Sequence, residues 1–236
     1  MIFNKIFILF KIGRKIGKSN IIDIISEAQK IPLFIKIFFN LLSFSFSSSK
    51  DKQSEGKENL STSIQEMGTT FIKLGQFLAT RPDIIGEKLS KELESLQDKL
   101  PPFSKKEAEK IIIENLGQSN FDDIIDLSDP IAAASIAQVH KAKIKEDNII
   151  KNVAIKVLRP NIKKIFNDEI DAIMLLAYIV ENLITKTKRL KLIEVVFLFK
   201  EITNHEMDLR FEAAAANEYA ENTKNDLGFF VPKIYW

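Results

Sequence analysis

Cysteine is absent from this chain, which removes disulfides, thiolate nucleophiles and cysteine-ligated zinc from the chemistry open to it. Histidine is scarce: His140 and His205 alone cannot build a histidine-rich metal centre. An excess of one charge is also missing. The 34 Lys and Arg residues are offset by 32 Asp and Glu, leaving +2, which gives no argument for nucleic acid, and no nucleic-acid partner is expected. No apolar run reaches the roughly 20 uninterrupted residues that a membrane-spanning helix requires. Tryptophan occurs once and tyrosine three times beside 18 phenylalanines, and a general drift toward Phe, Ile, Lys and Asn accounts for that imbalance.

What is present is enough to fold. A chain of 236 residues, 45% hydrophobic and 28% charged, can bury a sizeable core as one large domain or as a domain with an appendage. The first 46 residues differ from the rest. An apolar start, Met1 to Phe10, is followed by the basic residues Lys11, Arg14, Lys15 and Lys18, and a second apolar stretch, Ile31 to Phe46, is interrupted by Lys36 and Asn40. The basic residues follow the first apolar run instead of preceding it, which argues against a secretory signal. Two readings stay open: helices lying on an anionic membrane or a partner, and phenylalanine-rich helices packed on the main domain. Ser43 to Thr62 reads as a polar linker.

Beyond the linker, Ile64, Met67, Phe71, Leu74 and Leu78 follow helical spacing up to the boundary at Pro82. Glu87 to Leu100 supplies a second periodic stretch, and Ser104 with Glu107 is a capping-box signature for a third helix to about Asn115. After Gly117 the pattern shifts to short apolar runs that predict strands at Asp123–Leu127, Val139–Ile144 and Val153–Leu158, the last two joined by Lys145 to Asn148. Long helices are expected over Ile162–Leu183 and Leu190–Asn222, and Phe230–Trp236 reads as the start of another strand. Ala172 to Val180 is too short to span a bilayer and is flanked by Asp171 and Glu181, so it reads as a core helix.

The block Ala132-Ala-Ala-Ser-Ile-Ala-Gln-Val139 places Ala132, Ala134 and Ala137 at the spacings of the three glycines in a kinase nucleotide loop, with Ser135 inside it and Val139 at the following valine. One strand later comes Val153-Ala-Ile-Lys156, the order in which such a loop is followed by its lysine. Alanine keeps the small size that lets backbone amides approach phosphates but gives up glycine's access to positive φ. A helix start over the same alanines is the competing reading, since alanine is the best helix former. Lys156 would neutralise and orient phosphates, and its flexible stem needs a carboxylate to hold it. Glu212 is the candidate, with Glu206, Asp208 and Arg210 as polar neighbours on the same segment.

With these residues in hand, the chain is similar to the UbiB family of atypical kinases, bacterial counterparts of a mitochondrial coenzyme Q-biosynthesis kinase. The resemblance rests on Lys73, Gly75 and Gln76 of a Lys-x-Gly-Gln block within Phe71 to Asp83, on Leu96-Gln97-Asp98 with Pro101-Pro102-Phe103, on the alanine-rich loop, on the Lys156 strand, and on Glu206-Met207-Asp208. It covers about Gly68 to Trp236. It implies an α+β fold, the N-lobe of a kinase-like domain under a helical Lys-x-Gly-Gln cap, with 63–118 the cap and 119–236 the lobe, following the hydrophobic and basic segment 1–46 and the polar linker 47–62 read from composition. It further implies that Lys73 meets Glu206 or Asp208, that Lys156 pairs with Glu212, and that the intact protein uses ATP with Mg2+. Family members are associated with ubiquinone biosynthesis and with the membrane holding its lipid intermediates, which places the chain at the cytoplasmic face of the bacterial inner membrane, or in the cytoplasm if it stands alone.

The family's catalytic loop and its Asp-Phe-Gly metal element are not found up to Trp236. The expectation is therefore a chain inactive alone, with no metal site and no catalytic residue of its own. Its partners would be a complementing C-lobe polypeptide, ubiquinone-biosynthesis proteins or lipid intermediates, and the membrane surface. A non-catalytic binding module and a degenerate gene fragment are the alternatives.

Overall fold

The apolar positions from Ile64 to Leu78 keep helical spacing, but Gly68 interrupts the backbone between them. The computed structural model describes residues 7, 8, 10–14, 60–96, 100–146, 149–183 and 185–236, and it divides the expected single helix into α1 (Leu60–Met67) and α2 (Thr69–Ala79). Gly68 adopts φ 102° and ψ −177°, a region open to glycine and strained for any other residue, while a Cβ there would meet no atom within 4 Å. Gly68→Ala is thus a pure backbone test. It should cost about 1–3 kcal/mol and lower the thermal midpoint by roughly 3–10 °C, read by circular dichroism.

Because α1 begins at Leu60, the linker expected up to Thr62 ends earlier, and most of that linker lies outside the described residues. The same holds for most of 1–46. The described part of that segment is helical at 7, 8 and 10–14, and Ile12 packs with Leu60, Met67, Phe71, Leu89 and Leu93. Short α3 (Pro82–Ile85) and α4 (Glu87–Glu94) complete this helical layer, with α4 ending six residues before the Leu100 boundary read from periodicity. Gly75 faces Leu96 so closely that a Cβ would stand 2.6 Å from its Cδ2, so the glycine admits close approach of the 95–96 segment to α2.

Ser104 caps α5 (Lys105–Leu116), its Oγ accepting from the Glu107 amide at 3.3 Å, and Gly117 at φ 82° ends it. After α6 (Gln118–Asp122) comes an antiparallel sheet: β1 (Ile124–Ile125), β2 (Pro130–Ala133), β3 (Ala137–Glu146) and β4 (Ile149–Leu158). The strand expected over Asp123–Leu127 shrinks to the two residues that find a ladder partner on β3. β3 pairs with β4 along its whole length, leaving β1 and β2 to share its other edge. Asp147 and Asn148, between β3 and β4, lie outside the described residues. One sheet face, through Ala142, Val153, Ile155 and Val157, packs on Ala108 and Ile112 of α5.

α7 spans Ile162–Leu183, as its periodicity predicts, and a 3₁₀ segment Thr185–Leu190 leads into α8 (Leu192–Glu206). Phe166, Ile170 and Ala177 of α7 pack with Val196 and Phe199 of α8 against Ile136 and Ala137. The long helix expected to run to Asn222 is broken instead. Met207 is buried at 1% exposure, Asp208 leaves helical geometry at φ −110° and ψ 92°, and α9 (Leu209–Asn222) begins after it. Asp208 caps the new helix with its own carboxylate, accepting from the Arg210 amide at 3.2 Å.

Phe230–Trp236 is not a strand, contrary to the sequence expectation. The segment is tied to the sheet by side chains: Lys233 Nζ lies 2.8 Å from Glu146 Oε1, and the Tyr235 hydroxyl donates to Glu146 Oε2 at 3.4 Å. Hydrogen bonds from Lys151, then from Lys233, hold the Glu146 carboxyl at about 2, below its ordinary 4.5. A depressed carboxyl contributes stability above its unfolded value and loses it as pH falls toward the folded one. Docking of the C-terminal segment should therefore persist above pH 4.5 and be lost toward about 2. Fluorescence of Trp236, the single tryptophan, reports it. A signal flat across that window would show that Glu146 does not hold the segment.

Candidate functional site

Directly opposite residues in an antiparallel sheet put their side chains on one face. Ala132 pairs with Val139, and Val139 pairs with Lys156, so these three form one row across β2, β3 and β4. This is the face opposite α5. Ala137 and Leu158, at the near end of the two long strands, are covered by the α7–α8 core. Val139 is half-buried, and Ala132 and Lys156 are exposed.

The block Ala132 to Val139 is strand, turn and strand, not a helix start. Its turn closes with the Ala134 amide donating to the Ala137 carbonyl at 2.8 Å. Among the described residues the only non-glycine positive φ values belong to Asp126, Asn161 and Lys191, so the turn never enters the region that alanine disfavours. Alanine suffices here because this turn does not ask for glycine's freedom. Ser135 is fully buried and its carbonyl accepts from Thr69 Oγ1 at 3.2 Å.

Lys156 reaches Glu212 on the first turn of α9, with Nζ 2.5 Å from Oε2. Lys73 on α2 meets Glu206, the last residue of α8, at 2.9 Å, and its side chain is only 14% exposed. These two lysines and two carboxylates bracket the α8–α9 break, and buried Met207 anchors the break between them. Of the two carboxylates the sequence offered to Lys73, the structure brings up Glu206. Asp208 instead holds Arg210 through two bonds, Nε to Oδ1 at 2.8 Å and Nη2 to Oδ2 at 2.5 Å. The Arg210 guanidinium keeps the Asp208 carboxyl at about 2. Gln76, a turn along α2 from Lys73, is half-buried.

Sequence reasoning passed over two groups. Gln138 and His140 are buried beside the turn: Gln138 Oε1 accepts from the Phe103 amide at 3.0 Å, and its Nε2 donates to the Phe103 carbonyl at 3.2 Å and to His140 Nε2 at 2.9 Å. That network assigns the proton of His140 to Nδ1, which donates to the Ser128 carbonyl at 2.8 Å. Arg159, at the exit of β4, donates to the carbonyls of Ala134, Leu100 and Pro101. A cation directly before Pro160 was the available signal. The pairing itself depends on chain folding back over 25 residues to Ala134 and over 58 and 59 to Pro101 and Leu100.

The sheet face thus combines small side chains with an exposed lysine that a carboxylate orients. Among the described residues, no group of three or more His, Asp or Glu could hold a metal ion. Among the described residues, too, no helix is long and apolar enough to cross a membrane.

A family model described as "ABC1 atypical kinase-like domain" matches residues 95–236. The chain is 31% identical over 234 residues to a "Probable protein kinase UbiB" of Azotobacter vinelandii, covering 97% of this chain and 42% of that protein. A protein of the same name from Pseudomonas paraeruginosa is 31% identical over 230 residues, again 97% of this chain and 42% of the relative. One from Marinobacter nauticus is 34% identical over 216 residues, 91% of this chain and 39% of the relative. The chain thus spans about two fifths of the length of these relatives, aligned with their N-terminal portion.

Proposed function

The chain belongs to the ABC1 atypical kinase-like family, and from that premise we propose that it is the nucleotide-handling part of a UbiB-type atypical kinase or ATPase supporting ubiquinone biosynthesis. The observation that carries the reading is the Lys156–Glu212 contact at 2.5 Å on the open sheet face beside the alanine-rich turn. An exposed ion pair of this kind contributes at most about 1 kcal/mol to folding. Its value is positional: the carboxylate holds a mobile ammonium where the phosphates of ATP would lie.

In the proposed role Lys156 neutralises phosphate charge, Glu212 orients it, and Ala132, Ala134 and Ala137 keep side-chain bulk away from the ligand. The Lys73–Glu206 pair fastens α2 to the end of α8, which sets the position of α9 and so of Glu212. Metal-dependent phosphoryl transfer would draw its remaining groups from outside the described residues. Phe211, Tyr219, Phe230 and Trp236 are each at least 49% exposed, apolar surface that supports contact with a further lobe of the kind the longer relatives have room for. Association with the cytoplasmic membrane face, where lipid intermediates are reached, belongs to the same proposal.

Titration of the full chain with a fluorescent ATP analogue tests the nucleotide reading. Saturable binding that unlabelled ATP competes away is expected. Binding that does not saturate, or that ATP fails to displace, would remove the reading.

A further inference from the structure

Four consecutive carbonyls of the alanine-rich turn are taken by donors of the protein itself. Ala137 O accepts from Ala134 N at 2.8 Å, and Ile136 O from Arg159 N at 2.9 Å. Ser135 O accepts from Thr69 Oγ1 at 3.2 Å, and Ala134 O from Arg159 Nε and Nη2 at 3.0 and 2.9 Å. Three of the four depend on residues outside the turn, and Arg159 alone engages two of them. The same guanidinium donates from Nη1 to Pro101 O at 3.0 Å and from Nη2 to Leu100 O at 3.4 Å, and it lies 5.9 Å from the centre of the Phe103 ring. Phe103 is in turn gripped through its amide and carbonyl by the side chain of Gln138 on β3.

Carbonyl oxygens are the negative ends of peptide dipoles, and a turn can receive an anion only where they are directed elsewhere. Arg159 draws the Ala134 carbonyl onto a cation and at the same time ties that cation to the Leu100–Phe103 segment of the helical cap, which leads into α5 against the sheet. We propose that Arg159 is the positioning residue of the alanine-rich turn and the joint through which the cap sets nucleotide affinity. This rests on the nucleotide reading of the turn. Only a planar, multi-donor group serves such a joint, because a lysine ammonium cannot present parallel donors to carbonyls on two separate segments. Movement of the cap, on meeting a partner or a lipid intermediate, would therefore reach the alanine-rich turn through this side chain, beside the α2 contacts of Thr69 with Ser135 and of Lys73 with Glu206.

The test uses the full chain with Arg159→Lys, Arg159→Ala and Thr69→Val, reading hydrogen exchange at the Leu100 and Phe103 amides, since Pro101 and Pro102 have none, and at 132–137, together with affinity for the fluorescent ATP analogue. Arg159→Lys should raise exchange in both segments and weaken the analogue by about tenfold. Thr69→Val, which removes the hydroxyl that bonds the Ser135 carbonyl, should raise exchange at 132–137 and leave the Leu100 and Phe103 amides unchanged. Lys156→Ala should lose affinity without raising exchange in either segment, which separates holding the turn from contacting the ligand. If Arg159→Ala fails to fold, Arg159→Lys carries the comparison. Unchanged exchange in both segments of a folded Arg159→Lys protein, or a rise confined to the turn, would overturn the proposal. So would an unchanged affinity. If the parent chain binds no ATP, the nucleotide reading fails by itself, and the paired rise in exchange still decides whether Arg159 joins cap and turn.

Discussion

Lys156→Ala is expected to weaken ATP binding by about 10- to 100-fold, the range for losing a charged group's hydrogen bonds to phosphate. Little of that loss should come from folding. Lys156 and Glu212 are 37% and 62% exposed along their side chains, and pairs this exposed contribute about 0–1 kcal/mol. The melting temperature should stay within a few degrees of the parent while affinity collapses. Glu212→Gln separates the roles further. It leaves the ammonium in place but takes away its anchor, so affinity should fall less, by roughly threefold to tenfold. Equal losses in the two variants would mean that Glu212 touches the ligand directly. An unchanged affinity in Lys156→Ala would show that the lysine strand is not the nucleotide site.

The second large effect is on the scaffold. Phe199 is 1% exposed and its ring lies 5.5 Å from Phe77 on α2 and 5.6 Å from Phe166 on α7, edge-on to the latter. It therefore joins three helices at one point. Phe199→Ala should cost about 3–5 kcal/mol, since neighbours on three rigid elements cannot collapse into the cavity. At about 2–4 °C per kcal/mol for a chain of this size, the midpoint should drop by roughly 6–20 °C. The consequence for the site follows from connectivity. α8 carries Glu206 at its end and passes directly into the helix bearing Glu212, so loosening Phe199 should also blunt nucleotide binding below the melting transition. Phe199→Leu, which refills most of the volume, should recover a large share of both losses.

The Lys156–Glu212 and Phe199 contacts join residues far apart in sequence, and the sequence discloses such contacts unevenly. Lys156 and Glu212, 56 positions apart, could be matched because the kinase-like order of loop, lysine strand and later helix asks for a carboxylate on that helix, and the resemblance points to Glu212. The bounds of α7 were legible because a long amphipathic pattern specifies its own ends. The breaks were not. At Gly68 and at Met207-Asp208 the apolar periodicity continues while the backbone leaves the helix, once for a φ of 102° and once so that a buried methionine and a capping carboxylate can turn the chain. Hydrophobic spacing carries no mark of either event.

Phe230–Trp236 misled for another reason. Alternating apolar residues describe strand propensity, but a strand exists only with a partner ladder, and this segment meets β3 through Lys233 and Tyr235 side chains alone. The alanine-rich block was ambiguous between helix and hairpin until β3 and β4 supplied pairing for Ala137 to Val139. For Arg159 the position before Pro160 marks a cation but not its partners, because these are backbone carbonyls at 100, 101 and 134, and a carbonyl looks the same in every residue.

The central claim is that the phosphates of ATP lie against Lys156. An acyl-phosphate derivative of ATP transfers its acyl group to whichever lysine amine stands beside the bound phosphates, with ATP itself as the leaving group, and peptide mass spectrometry identifies the modified residue. The account predicts acylation concentrated on Lys156, suppressed by excess ATP and lost in Lys156→Ala. ATP-suppressible labelling on a lysine away from the sheet face, or labelling of Lys156 that excess ATP leaves unchanged, would contradict it.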